Sequence, residues 1–191
     1  MATLDVKVLD DDTLLARALA GDVVAFGELV RRHQGAALRV AAVISGSTEE
    51  AKDIVQEAFV SAHRSLGTYR GTGSVRSWLL RVVANHARNH VRGRVRRLWR
   101  DARHAALELR SDVGPDEHVE RHAEQAAVAR ALVSLRLDDR EVLGCRFVIG
   151  LNEAETAEVL GLPTGTVKSR TSRAVGRLRA ALEVDQEGGL R

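Results

Sequence analysis

The run SVRSWLLRVVANHARNHVRGRVRRLWR, Ser74 to Arg100, admits one local structure, a long amphipathic helix. Val75, Leu79, Val82 and Val83 recur at helical spacing and form an apolar stripe. Arg81, Asn85, Arg88 and Arg92 keep the same period but lie well around the cylinder from it. Between Arg70 and His104 there are ten arginines and a single acid, Asp101. A solvated helix face ordinarily mixes charge signs at i,i+4 spacing, and this one does not. A face of one sign is the footprint of a polyanion-binding surface. Asn85 and Asn89 add a different chemistry. An amide pairs a donor with an acceptor and can read a base edge, whereas arginines mostly hold phosphate.

The rest of the composition supports an all-α protein. Aromatic residues make up 3% of the chain, prolines are limited to Pro115 and Pro163, and alternating β-branched runs are scarce. A length of 191 residues fits one or two small domains. The formal net charge of +3 understates the basicity of the central run, because the charge is segregated. Cys145 is the only cysteine, which excludes a disulfide framework and a thiolate metal cluster. The opening MATLDVKVLDDD is acidic and lacks an apolar signal core, and no apolar run reaches bilayer-spanning length. The expectation is a cytoplasmic protein without membrane insertion.

Taken in order, the spacing predicts a short helix over Asp12 to Asp22 with Leu14, Leu15, Ala18 and Leu19 inward, ended by Gly21. Asp22 is an N-cap for a helix over Val23 to Ile44 that buries Phe26, Leu29, Val30, Ala37 and Val40. Thr48 is expected to cap a third helix to about Leu66, with Ile54, Val55, Ala58, Phe59 and Ala62 inside. Its outer face carries Glu49, Glu50, Asp53, Gln56 and Glu57, which composition alone leaves between mere solvation and an acidic docking surface. Gly67 to Gly73, GTYRGTG, lacks the Gly-Lys-Ser/Thr ending of a P-loop. With Tyr69 and Arg70 between its glycines it suits unstacked single-stranded bases.

Beyond Arg103 the chain turns acidic, and Ser111-Asp112-Val113-Gly114-Pro115-Asp116 interrupts any helix, so a flexible linker is placed at 101–118. This divides the chain into a domain over 1–100 and a second over 119–191. The second is read as helices over Glu120 to Leu135 and Asp138 to Ile149, the latter capped by Asp138 or Asp139. A helix-turn-helix follows over Leu151 to Leu182, with Asn152 as cap, Gly161 at the turn and a longer helix from about Thr164. Leu151, Ala154, Ala157, Leu160, Leu162 and Val167 match its apolar positions. In the longer helix Val167, Thr171, Ala174, Val175, Leu178 and Leu182 face the core. Lys168, Ser169, Ser172 and Arg173 face out near the end where a recognition helix meets the major groove.

Several of these runs, in this order, resemble the extracytoplasmic-function group of the bacterial sigma-70 family: GDVVAF, AKDIVQEAF, YRGTGSVRSWLLRVVAN and EAETAEVLGLPTGTVKSR. The resemblance spans about Asp12 to Leu182. It implies that Asp53, Gln56 and Glu57 dock on a coiled coil of the largest subunit of core RNA polymerase. It also implies that the glycine loop and basic helix melt and read the −10 promoter element. There Tyr69, Arg70, Arg76 and Trp78 would line the strand, Asn85 and Asn89 would form a pocket for a flipped base, and Arg81, Arg88 and Arg92 would hold phosphates. Thr166, Lys168, Ser169, Ser172 and Arg173 would read the −35 element as duplex, and the acidic linker would thread the polymerase channel. Partners are then core polymerase and promoter DNA, with an anti-sigma factor as a further candidate. The chain departs from the family pattern in lacking a proline near SLRLDDR, in Thr156 for a branched aliphatic residue, in Lys52 for an acid and in Ser172 for a larger side chain.

Two other classes compete. A conventional helix-turn-helix regulator would use the C-terminal motif alone, without joining the polymerase. An enzyme would need a catalytic constellation. His86 with His90, and His118 with His122, have i,i+4 spacing, but no HExxH glutamate or third ligand accompanies them, so they read as exposed histidines. Cys145 reads as a buried thiol without a partner. No catalytic residue, metal or cofactor is expected.

Overall fold

The computed structural model describes residues 6–69, 73–104 and 120–188, with side chains described over 6–69, 73–96 and 127–183. Among the described residues the chain is helical and contains no strand. The first half comprises α1 (Asp11–Leu19), α2 (Val23–Ser45), α3 (Thr48–Arg64), a 3₁₀ turn (Leu66–Thr68) and α4 (Val75–His104). The second half comprises α5 (Glu120–Ser134), α6 (Leu137–Leu143), a single π-helical turn (Gly144–Val148), α7 (Glu153–Leu160) and α8 (Thr164–Gly188). The linker assigned to 101–118 falls mostly outside the described residues; α4 continues to His104 and α5 begins at Glu120.

Local chemistry sets most boundaries. Asp22 accepts from Val24 and Ala25 N–H at 3.0 and 3.1 Å and starts α2 as expected. Ser47, not Thr48, caps α3 by accepting from Glu50 N–H. The two adjacent hydroxyls compete for one position, and Ser47 has the extended backbone that a cap requires. Ser74 caps α4, its Oγ accepting from Ser77 N–H at 3.0 Å. Asn152 and Glu155 form a reciprocal capping box at α7. Gly161 takes φ of +68°, the left-handed conformation that closes the helix-turn-helix turn.

The first core lies between α2, α3 and α4, with Leu29, Val40, Ile44, Ile54, Ala58, Leu79, Leu80 and Val83 buried. On α4 the inner stripe is broader than the apolar period suggested: Val75, Leu79, Leu80, Val83, Ala84, Ala87 and Val91 are buried, and Val82 is half-buried. Leu19, expected inward, is 51% exposed because its helix ends at that residue. Buried Glu28 bridges Arg31 and Arg32, while Asp11 ties α1 to Arg32 at 3.0 Å and to His33 at 2.6 Å. The two guanidiniums hold the Glu28 carboxyl down at about 2.

In the second half Val142, Leu143, Leu151, Val159, Val167 and Ala174 are buried. Ala154, expected inside, is exposed, because a single methyl gives little drive for burial. Neither Asp138 nor Asp139 caps α6; its N-cap is Arg136, which makes no side-chain cap. Both acids serve α8 instead, Asp139 holding Arg177 at 2.6 Å and Asp138 lying 3.4 Å from Arg170. The expected helix to Ile149 is interrupted at Gly144 by the π turn. There the backbone comes so close to α2 that a Cβ on Gly144 would lie 2.5 Å from Val43 Cγ1. The two halves are therefore packed together, with α7 against α4 and α6 against α2.

Candidate polymerase and nucleic-acid interfaces

Three faces gather the residues singled out by sequence. On α3, Asp53, Gln56 and Glu57 are exposed and line a cleft of about 610 Å³ with Val60, Ser61, Arg64 and His86. Around the corner, Gln56 also borders an apolar groove of about 700 Å³ between α2 and α3, walled by Phe26, Val30, Leu38, Val55, Phe59 and Val60. The sequence reading missed this groove. Its one legible signal was Val60, an apolar residue four positions from Gln56, which the fold leaves 47% exposed.

The second face runs along α4. At its N-terminal end a cleft of about 490 Å³ is lined by Thr68, Tyr69, Gly73, Ser77, Trp78, Arg81 and Glu158. The Tyr69 ring meets Trp78 edge-on at 5.7 Å, and its hydroxyl donates to Gly73 O at 2.8 Å. Tyr69 is thus braced, not free-standing. Burial, with the charges of Asp12 and Glu158, pushes its phenol up. Arg76 is half-buried, and Arg70 lies outside the described residues. Further along, Asn85, Arg88, Asn89 and Arg92 line a second cleft of about 520 Å³ whose other wall is Asp138, Glu141, Leu160, Leu162 and Arg170.

Each nitrogen of the Arg88 guanidinium makes one contact. Its Nε donates to Glu141 Oε1 at 2.6 Å, Nη1 to Asn85 Oδ1 at 2.8 Å and Nη2 to Leu160 O at 3.4 Å. Burial pushes the Glu141 carboxyl up, against the opposing pull of Arg88. Not every arginine of the basic run serves the outer face. Arg94 bonds both Glu50 oxygens and Ser45 O at 2.9 to 3.0 Å, tying α4 to α2 and α3.

The third face is on α8. Lys168, Ser169, Ser172 and Arg173 are exposed on one side, Thr166 is half-buried beside them, and Val167 and Ala174 are buried on the other side.

His86 and His90, expected exposed, are half-buried and diverge: His86 borders the α3 cleft and His90 lies 3.4 Å from Glu50. The His118 and His122 side chains lie outside the described residues. Among the described residues no group of three or more His, Cys, Asp or Glu could hold a metal ion. Burial pushes the Cys145 thiol up to about 12, an unreactive setting. No described helix is long and apolar enough to cross a membrane.

Comparison with known proteins gives the family. Residues 29–97 match the family model for sigma-70 region 2, and residues 131–180 match that for sigma-70 region 4. The ECF RNA polymerase sigma factor SigM of Mycobacterium tuberculosis is 39% identical over 173 residues, covering 90% of this chain and 84% of that protein. The RNA polymerase sigma factor CnrH of Cupriavidus metallidurans is 37% identical over 185 residues, covering 93% and 96%. The solved structure of CnrH in complex with the cytosolic domain of CnrY superposes with a TM-score of 0.68 at 32% identity, covering 92% of this chain and 99% of that one. A stand-alone regulator would match over the helix-turn-helix alone, and here both regions match in order. The chain belongs to the extracytoplasmic-function group of the sigma-70 family, and is a sigma factor that binds core RNA polymerase and directs promoter-specific transcription initiation.

Proposed function

We propose that this sigma factor divides its work among the three faces. Residues 1–100 dock and open, 101–118 act as a connecting linker through the polymerase channel, and 119–191 read duplex. Asp53, Gln56 and Glu57 bind the coiled coil of the polymerase largest subunit. Tyr69, Arg70, Arg76, Trp78, Arg81, Asn85, Arg88, Asn89 and Arg92 melt and read the −10 element on the non-template strand. Thr166, Lys168, Ser169, Ser172 and Arg173 read the −35 element in the major groove. The protein acts in the cytoplasm, where its polymerase is, and catalyses no reaction of its own. A regulatory partner of the anti-sigma kind is in keeping with the CnrH relative, whose solved structure holds the cytosolic domain of CnrY.

The observation that carries this reading is the segregation of chemistry on one scaffold. Exposed acids sit on α3, amides and arginines line the clefts of α4, and an exposed basic and hydroxyl face lies on α8. Run-off transcription with core polymerase on a randomised promoter library tests it. The expected transcripts start downstream of two separated conserved elements, and charge reversal at Asp53 and Glu57 abolishes them together with polymerase binding. Tight binding of promoter duplex without polymerase, with no initiation in its presence, would overturn the reading.

A further inference from the structure

Helix α8 is held from behind by little apolar bulk. Among the described residues its buried positions are Val167 and Ala174, seven apart, with Val175 and Leu178 partly buried beside them. A valine and a single methyl give a helix few interlocking contacts against sliding or rolling. Polar contacts supply what the stripe lacks. Arg170 and Arg177 repeat the seven-residue interval three positions further on, and they reach consecutive acids of α6. Arg177 Nη1 donates to Asp139 Oδ2 at 2.6 Å, and Arg170 Nη1 lies 3.4 Å from Asp138 Oδ2. Seven residues span about 10 Å of helix axis. Two attachments that far apart fix the angle of a helix as well as its position, which one attachment cannot do.

The two pairs are unequal. Asp138 is more than half exposed, and an ion pair in water contributes little. The Asp139 side chain is 3% exposed, so it has given up its hydration and depends on the guanidinium. Arg177 is about half exposed. It lies one turn beyond Arg173, at the border between the exposed row and the buried stripe. The buried acid thus grips α8 beside the residues that face outward.

We infer that Asp139 is a positioning residue for −35 recognition. Through Arg177, with Asp138 on Arg170 as a weaker second hold, it sets the angle and rotation at which α8 presents Lys168, Ser169, Ser172 and Arg173 to the major groove. Base edges are read by paired contacts that tolerate little misplacement, whereas phosphate attraction is less directional. Loosening α8 therefore costs discrimination before it costs binding. This rests on the reading of α8 as the −35 reader.

The test uses the holoenzyme, with initiation rates measured below saturation on promoters that differ only in the −35 element. Asp139→Ala releases Arg177 into water and leaves no buried charge unpaired. Arg177→Lys is the milder second variant, keeping a cation for the buried acid without the fork and reach of a guanidinium. Asp139→Ala is expected to narrow discrimination between −35 sequences by about fivefold and to leave −10 preference unchanged, and Arg177→Lys to act in the same direction by less. Asp139→Asn keeps an oxygen acceptor for Arg177 and should keep the parent's discrimination. Two outcomes overturn the inference. One is an equal loss of rate on every −35 sequence in Asp139→Ala and Arg177→Lys, which a stability defect alone produces. The other is parent-like discrimination in both. Arg173→Ala, measured alongside, separates the two layers. If it leaves −35 affinity and discrimination unchanged, the reading of α8 fails; if it alters them while the Asp139 and Arg177 variants do not, only the positioning role fails.

Discussion

Helices α4 and α8 both carry groups suited to DNA, yet the fold treats them differently. On α8, Lys168, Ser169, Ser172 and Arg173 stand exposed, with α6 and α7 packed on the opposite side. On α4, Arg88 is spent on Glu141 and Leu160 O, and the neighbouring clefts are walled by residues of α6 and α7. On the proposed division of labour, the contrast follows from what each helix reads. Duplex needs only a convex helix that fits the major groove, so its reader can be finished in the folded chain. A separated strand needs concave sites that reach bases, and a concave basic site left empty attracts the nearest carboxylate. The covered reader is therefore where the largest mutational effects should appear.

Arg88→Ala should cut promoter opening by about 10- to 100-fold in the holoenzyme on every −10 sequence. It should also make the salt dependence shallower by about one counterion. Open-complex assays across a salt series measure both. Loss confined to particular −10 sequences would move Arg88 from holding to reading. The same substitution removes the partner of buried Glu141, so it should also lower the stability of the free protein.

Asn85→Ala should leave overall opening less affected but change which −10 base is preferred, by about 1–3 kcal/mol of discrimination. Initiation rates on a panel of −10 variants measure it. An equal loss on every variant would dismiss the base-pocket role and reduce Asn85 to a brace for Arg88, whose Nη1 it accepts at 2.8 Å. On α8, Arg173→Ala should weaken −35 duplex binding by about 1 kcal/mol, measured by titrating holoenzyme with promoter duplex, and leave −10 base preference unchanged. A shift in −10 preference would show that the two reading faces are coupled.

These differences also mark where the sequence was readable. The acidic face of α3, the basic face of α4, the Asp22 cap and the Asn152 box depend on neighbours within a few positions, and local spacing expresses them. Glu141 meets Arg88 across 53 positions, and Leu160 O meets it across 72. Nothing in a helical period says which distant element will lie on an amphipathic face. Asp138 and Asp139 show the same limit from the other side: both looked like caps, and both are held by arginines of α8. Arg94 likewise belonged by spacing to a basic run, but is a strut on Glu50 and Ser45.

The smallest expected effect isolates the scaffold that α4 and α8 share from what they read. Thr156 on α7 is completely buried, and its Oγ1 has no hydrogen-bond partner among the described residues. It lies on the helix that packs against α4 and leads through the turn into α8. A buried hydroxyl without a partner forfeits its hydration, while valine has the same shape and no hydroxyl to satisfy. Thr156→Val should therefore raise unfolding stability by about 1 kcal/mol, measured by urea denaturation, and leave promoter preference unchanged. A destabilised variant would mean that the hydroxyl is bonded in solution. A stabilised variant with altered −35 preference would mean that α7 packing sets the angle of α8, and that duplex reading depends on the fold behind the exposed face as well as on the side chains it presents.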